Sequence, residues 1–345
     1  MNNYPVKIEN EMELDEVLSI PHPAVIELMK RLDGDLMILG INGKMGLTLG
    51  RQALNAIKSA GVEKKVIGVS RFTDPAGRAK LEEWGLETIA CDLLDREAVA
   101  KLPRIKNIIF MAGRKFGTSG SEELTWAMNT LVPANVGNHF RASRIVAFST
   151  GCVYPLVPVA SGGSVETDIP APVGEYANSC LGRERAFEYT SKTFGAPTLL
   201  LRLNYAIDLR YGVLHDIAQQ INNGEPVNNS VGCFNALWQG DANAYALLAL
   251  EQASSPAAHL NITGPETVSV EYTAGRLAEL LGKPLKMAGD PGDRSYLNNA
   301  AKAFSLFGYP RVTMDWMIER QAEWIRQGNR SLNKPTHFEV NDGKF

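Results

Sequence analysis

The chain has 345 residues, a length suited to about two domains. Its apolar fraction of 45% and charged fraction of 21% are those of an ordinary globular chain, which excludes bulk disorder. A formal net charge of -3 gives no basic field for holding nucleic acid.

Cys91, Cys152, Cys180 and Cys233 form no CxxC pair and no zinc spacing. No metal is therefore expected, and the thiols read as reduced. The N-terminus lacks both the basic region and the apolar core of a signal peptide, and no stretch approaches about 18 apolar residues. The expectation is a cytoplasmic protein with no membrane span.

Residues 1–33 are acidic and weakly patterned, with one helical pattern over 25–32 after Pro21 and Pro23. They read as an N-terminal extension docked on the main fold. Then short apolar runs alternate with helical patterns. The runs are 36–39, 66–69, 87–90, 108–111, 145–148 and 198–203. The helical patterns between them are 47–60, 76–84, 95–102, 122–140 and 176–194. Short apolar strands alternating with helices predict an α/β fold with a doubly wound parallel sheet covered on both faces. Residues 34–205 form this Rossmann-like domain, with 235–262 returning to it. Residues 206–234 and 263–330, with helical patterns near 213–222, 270–281 and 316–327, read as a smaller C-terminal substrate lobe. A further helical pattern covers 241–252. Residues 331–345 read as a surface strap.

Between the first run and the first helix lies Gly40-Ile41-Asn42-Gly43-Lys44-Met45-Gly46. Gly40 permits a tight turn, Gly43 lets a pyrophosphate approach the backbone, and Gly46 lets helix and strand pack closely. The helix N-terminus then offers free N–H groups and a positive dipole end to phosphates. Strand, turn and helix in this order predict a dinucleotide site.

Further segments follow in order. Cys91-Asp92-Leu93 ends the third run, and Phe110-Met111-Ala112-Gly113 ends the fourth. Asn129-Thr130-Leu131-Val132-Pro133-Ala134-Asn135 lies in the next helix. Ser149-Thr150-Gly151-Cys152-Val153-Tyr154 ends the fifth run. Gly224-Glu225-Pro226, Gly240-Asp241 and Asn261-Ile262-Thr263-Gly264 come later. With the GxxGxxG spacing, this ordered set resembles the extended short-chain dehydrogenase/reductase family of nucleotide-sugar epimerases and dehydratases, over about residues 36–327. The resemblance implies an adenine contact from Asp92 and Leu93. It also implies cofactor contacts from Met111, Ala112, Gly113, Asn129, Ser149, Leu203 and Asn204.

The second strand ends in Ser70-Arg71. An acidic residue there would accept from the adenosine ribose and favour NAD. Ser70 leaves room, and Arg71 is a bidentate phosphate partner, so NADP is expected, with NAD second. Asp74 is the nearby acid that could reverse this.

The resemblance further implies a Tyr acid–base, a Ser or Thr bonded to the same substrate oxygen, and a Lys four residues after the Tyr. Tyr176 fits the first and Thr150 the second. Cys180 stands in the Lys place. Loss of that ammonium raises the Tyr pKa, and two units would be about 2.7 kcal/mol on proton transfer. Lys115, beside Arg114, is the expected substitute cation or anion clamp, and Arg183 the lesser candidate.

Cys152 matches a proton-moving Cys of fucose-forming epimerase-reductases and is a second candidate acid–base. The partner His of that relative is not matched, since His215 is displaced from its place. Gly151-Cys152 also replace the Asp-Glu pair of sugar dehydratases. Gly151, Asn204, Tyr205, Arg210 and Arg294 complete the expected substrate contacts. The expected role is NAD(P)-dependent oxidoreductase or epimerase chemistry on a small sugar, sugar-acid or nucleotide-sugar-like substrate. The alternative is a dinucleotide-binding sensor without turnover, which Cys180 favours. Helices 122–140 and 176–194 resemble those that pair the family's homodimers.

Overall fold

The computed structural model describes residues 4–115, 117–118 and 120–340. The outer ends of the predicted extension and strap, 1–3 and 341–345, lie outside the described residues.

Seven strands form the central sheet: β1 (Leu36–Leu39), β2 (Val66–Ser70), β3 (Glu87–Ala90), β4 (Asn107–Phe110), β5 (Arg144–Thr150), β6 (Thr198–Leu203) and β7 (Ala258–Ile262). They lie in the order β7-β6-β5-β4-β1-β2-β3, and every pairing is parallel. β1 and β4 are buried at every position because helices cover both faces, which is why they read as unbroken apolar runs.

One face is closed by helices Pro23–Arg31, Gly46–Ala60 and Gln239–Leu248, around Ile38, Leu49, Val146 and Leu201. The other is closed by Val132–His139 and Gly174–Phe194, where Phe110 and Phe187 meet edge to face at 5.1 Å. Winding reverses between β1 and β4, which opens a crevice at their carboxyl ends.

The C-terminal lobe packs helices Val213–Asn223, Val270–Leu281 and Met314–Arg326 around Leu214, Leu277 and Trp324. The N-terminal segment joins both cores. Pro23 opens its second helix, which buries Val25, Leu28 and Met29 under the sheet. A first helix, Glu11–Leu18, has no counterpart among the sequence expectations. Its Leu14, Val17 and Leu18 enter the lobe core.

The long helix expected over 122–140 is broken. Its middle turn, Ala127–Leu131, is a π-helix between Glu122–Trp126 and Val132–His139. Pro133 lacks the N–H that would bond one turn back, so the turn widens and carries Asn129 with it. Among the described residues no helix is long and apolar enough to cross a membrane.

Candidate active site

The glycine turn sits at the carboxyl end of β1. Gly40 has φ +88°, and a Cβ there would lie 2.6 Å from the Ala112 nitrogen. A Cβ on Gly46 would lie 2.2 Å from the Ile41 oxygen. Both positions therefore exclude side chains, one by conformation and both by close approach. At Gly43 a Cβ would meet only the Gly40 oxygen, at 3.3 Å, so space remains over the turn. The following helix starts at Met45 without a side-chain cap, which leaves first-turn N–H groups for an anion.

Two cavities share Gly40, Gly43, Met111 and Gly113 and form one crevice. The outer one, of about 250 Å³, is lined by Asn42, Ser70, Arg71, Asp92, Leu93 and Ala112. The inner one, of about 260 Å³, is lined by Lys44, Met45, Gly46, Arg114, Lys115, Ser149, Tyr176 and Arg183. Asp74 caps its own helix, accepting from the Ala76 N–H at 3.0 Å. Asn129 supports the floor: it accepts from the Arg114 N–H at 3.0 Å and donates to the Arg114 carbonyl at 2.9 Å.

Tyr176 and Cys180 lie one turn apart on helix Gly174–Phe194 and are hydrogen-bonded. Burial pushes the phenol well above 10, and the Cys180 and Cys152 thiols push the same way, while the Arg183 charge opposes them. Burial likewise raises the Cys180 thiol. The Lys115 ammonium lies 5.9 Å from the Tyr176 ring centroid and donates to the Thr336 carbonyl at 3.1 Å. Burial lowers its pKa, against the pull of Cys152, Asp216 and Cys180. Tyr176, Cys180, Cys152 and Lys115 thus share one electrostatic environment. Thr150 accepts from the Cys152 N–H at 3.2 Å and caps the turn Gly151–Val153. Gly151 faces Asn298, whose amide would be 2.8 Å from a Cβ.

Other expected residues are held elsewhere. Arg210 donates to both Asp208 oxygens, at 3.0 and 2.8 Å, and pairs with Asp15 at 3.0 Å. Arg294 is exposed and donates to the Leu156 carbonyl at 2.7 Å. Asn204 donates to Asn235 and to the Tyr296 carbonyl, following the partly buried Leu203 at the end of β6. Tyr205, in the left-handed region at φ +37°, is raised by burial and feels the Cys152 thiol. His215 is bound to the Leu209 carbonyl at 2.8 Å and to Ser331 at 2.9 Å.

No sequence signal marks the contact between the C-terminal strap and the site. Asp216 accepts from the Thr336 N–H at 2.7 Å and from its hydroxyl at 2.6 Å, and Glu339 is close enough to act on Lys115 and Tyr205. The C-terminal strap is therefore tied to Lys115, one of the residues that line the inner cavity. Beneath the site, Ser149 donates to Glu184 at 2.6 Å, and Arg202 grips Glu184 at 2.9 and 2.7 Å. Glu184, Glu188 and His259 hold ligand-type atoms within 4.8 Å, but Arg202 and Ser149 already occupy the Glu184 oxygens.

Scans against protein-family models and curated proteins gave no match. Solved structures do match, and they define the class of fold: the Rossmann-like fold of the NAD-dependent epimerases and dehydratases. Among them is a UDP-glucose 4-epimerase of Thermotoga maritima with UDP-glucose, at 17% identity, TM-score 0.69, covering 85% of this chain and 99% of that one. A UDP-glucuronic acid 4-epimerase of Bacillus cereus in complex with NAD matches at 20% identity, TM-score 0.70 and the same coverage. A dTDP-glucose 4,6-dehydratase of Streptomyces venezuelae with NAD bound matches at 20% identity and TM-score 0.72, covering 85% and 97%.

Proposed function

We propose that this chain is an NAD(P)-dependent oxidoreductase or epimerase acting on a sugar, sugar-acid or nucleotide-sugar-like substrate. The observation that carries this reading is Tyr176 in the inner cavity, continuous with the glycine turn and beside the Lys115 ammonium. The neighbouring folds handle sugar nucleotides with NAD, which supports the same class of chemistry.

The residues fit a dinucleotide. The uncapped helix and the glycine turn would hold the pyrophosphate, and the outer cavity the adenosine. NADP is our first choice because Ser70 and Arg71 line that cavity and Asp74 is committed to its helix. NAD is the second choice. Bound there, the nicotinamide supplies the two-electron acceptor or donor for a substrate carbon. Tyr176 would exchange the proton on the substrate oxygen, Thr150 would hold that oxygen, and Lys115 would lower the cost of the phenolate. Cys152 would act as a second acid–base. Arg114 would bind an anionic group of the substrate.

The second reading, a dinucleotide-binding sensor without turnover, is favoured by the Tyr176–Cys180 hydrogen bond, which puts a neutral thiol beside the phenol. A turnover screen with sugar nucleotides and sugar acids, read at the nicotinamide absorbance, separates the two. An enzyme loses turnover in Tyr176→Phe while keeping cofactor affinity. A sensor shows no turnover in either form.

The chain would act as a homodimer through the segment 122–140 and helix Gly174–Phe194. Leu131 and Tyr189 are 57% and 66% exposed there, and Trp126 and Phe194 on the same segments are exposed too. Sedimentation of wild type and Leu131→Glu tests this, with a shift to monomer expected in the variant.

A further inference from the structure

Arg183 lies on helix Gly174–Phe194, two turns beyond Tyr176, and is only 6% exposed. Its Nη1 donates to the Phe148 carbonyl at 2.9 Å and its Nη2 to Asn129 Oδ1 at 2.5 Å. Both acceptors are neutral. Among the described residues no carboxylate pairs with it, and its buried Nε has no hydrogen-bond partner. A buried guanidinium with an unmade hydrogen bond is costly unless an acceptor in the working protein completes it.

The space for this cation is made by one residue. A Cβ on Gly113 would lie 2.2 Å from Nη2 and 2.9 Å from Asn129 Oδ1. Any side chain at 113 would therefore push the guanidinium off its place. Gly113 and Arg183 line the same inner cavity as Tyr176 and the glycine turn. With adenosine in the outer cavity and pyrophosphate at the turn, the remaining half of a dinucleotide falls in the inner one.

We propose that Arg183 is the cofactor-riboside ligand of this site, its guanidinium seated in the gap left by Gly113 and donating to the hydroxyls of the nicotinamide ribose. This deepens the dinucleotide reading and rests on it. The planar fork suits a vicinal diol, whose two oxygens accept in parallel. The same charge stands near the Tyr176 and Cys180 side chains, so it also favours the phenolate that Cys180 does not.

Titration calorimetry tests this with four probes: NADP⁺, NAD⁺, and the fragments 2′,5′-ADP and ADP, which lack the nicotinamide riboside. Arg183→Met is expected to weaken the preferred dinucleotide about tenfold while leaving its fragment within about twofold. Arg183→Lys, which keeps the charge, loses less. Unchanged dinucleotide affinity, or equal losses for dinucleotide and fragment, overturns the assignment. Gly113→Ala displaces the guanidinium without removing it, so it serves if Arg183→Met does not fold. The same selective loss is expected, and none overturns the proposal. Wild type that binds no probe overturns the dinucleotide reading itself, which is a distinct outcome.

Discussion

Lys44, in the glycine turn, places its ammonium 3.7 Å from the ring centroid of Tyr211 and donates to the Ala206 carbonyl at 3.3 Å. The glycine turn is thereby joined to the loop that leads into the C-terminal lobe. Burial pulls the Lys44 pKa down to about 7, with Lys115 and Arg210 acting the same way and Asp208 opposing them. A pyrophosphate on the turn would favour the charged amine and raise that pKa again. Dinucleotide binding at pH 8 is therefore expected to take up close to one proton, about 0.9 at most for a group of pKa 7. Calorimetry in buffers of different ionisation enthalpy reads this directly. Lys44→Met should abolish the uptake, and an unchanged uptake in that variant would assign the proton elsewhere.

The strap should make stability depend on pH through Asp216. Burial raises its carboxyl to about 6, against the Thr336 hydrogen bonds. The folded chain then binds more protons than the unfolded one between about pH 4 and 6, so this group's contribution falls as pH rises through that window. Asp216→Asn keeps an acceptor for Thr336 and removes the buried charge. Its stability relative to wild type should rise between pH 4 and pH 8 by on the order of 2 kcal/mol. A difference that stays constant across those pH values would refute the assignment.

Glu184 and Arg202 are 0% and 3% exposed and hold β6 to the helix that carries Tyr176. Arg202→Met leaves a buried carboxylate without its partner. A loss of about 3–5 kcal/mol in denaturant unfolding is expected. The double variant Arg202→Met with Glu184→Gln should recover part of it, because the stranded charge is gone.

Much of this was legible in the sequence. The alternation of apolar runs with helices marks the sheet because parallel strands are buried on both faces. The glycine turn is legible because Gly40 and Gly46, at fixed offsets, have no room for a side chain. Helix Glu11–Leu18 was missed although Asn10 and Glu13 form its cap, with Asn10 Oδ1 accepting from the Glu13 N–H at 3.0 Å. The acids around Leu14 and Val17 hid a short apolar face. The π-turn at Asn129 follows from Pro133, whose effect depends on the helix continuing past it. The strap's contact with Lys115 was not readable, because the bond from Lys115 to Thr336 joins segments far apart in the chain. Arg183 ranked low for a related reason: its place in the cavity depends on the missing side chain of Gly113, on another element.

On the proposed reading, cofactor choice turns on Arg71, which lines the outer cavity with Ser70. Arg71→Ala should weaken NADPH binding about tenfold and leave NADH binding nearly unchanged. Equal effects on both would place Arg71 away from the ribose phosphate.

The most direct measurement is calorimetric titration of the purified protein with NADP(H) and NAD(H) in turn. Saturable one-to-one binding, tighter for the phosphorylated pair, is the predicted result. Absence of binding by all four would contradict the account at its centre, since the glycine turn, the uncapped helix and the inner cavity would then serve no dinucleotide.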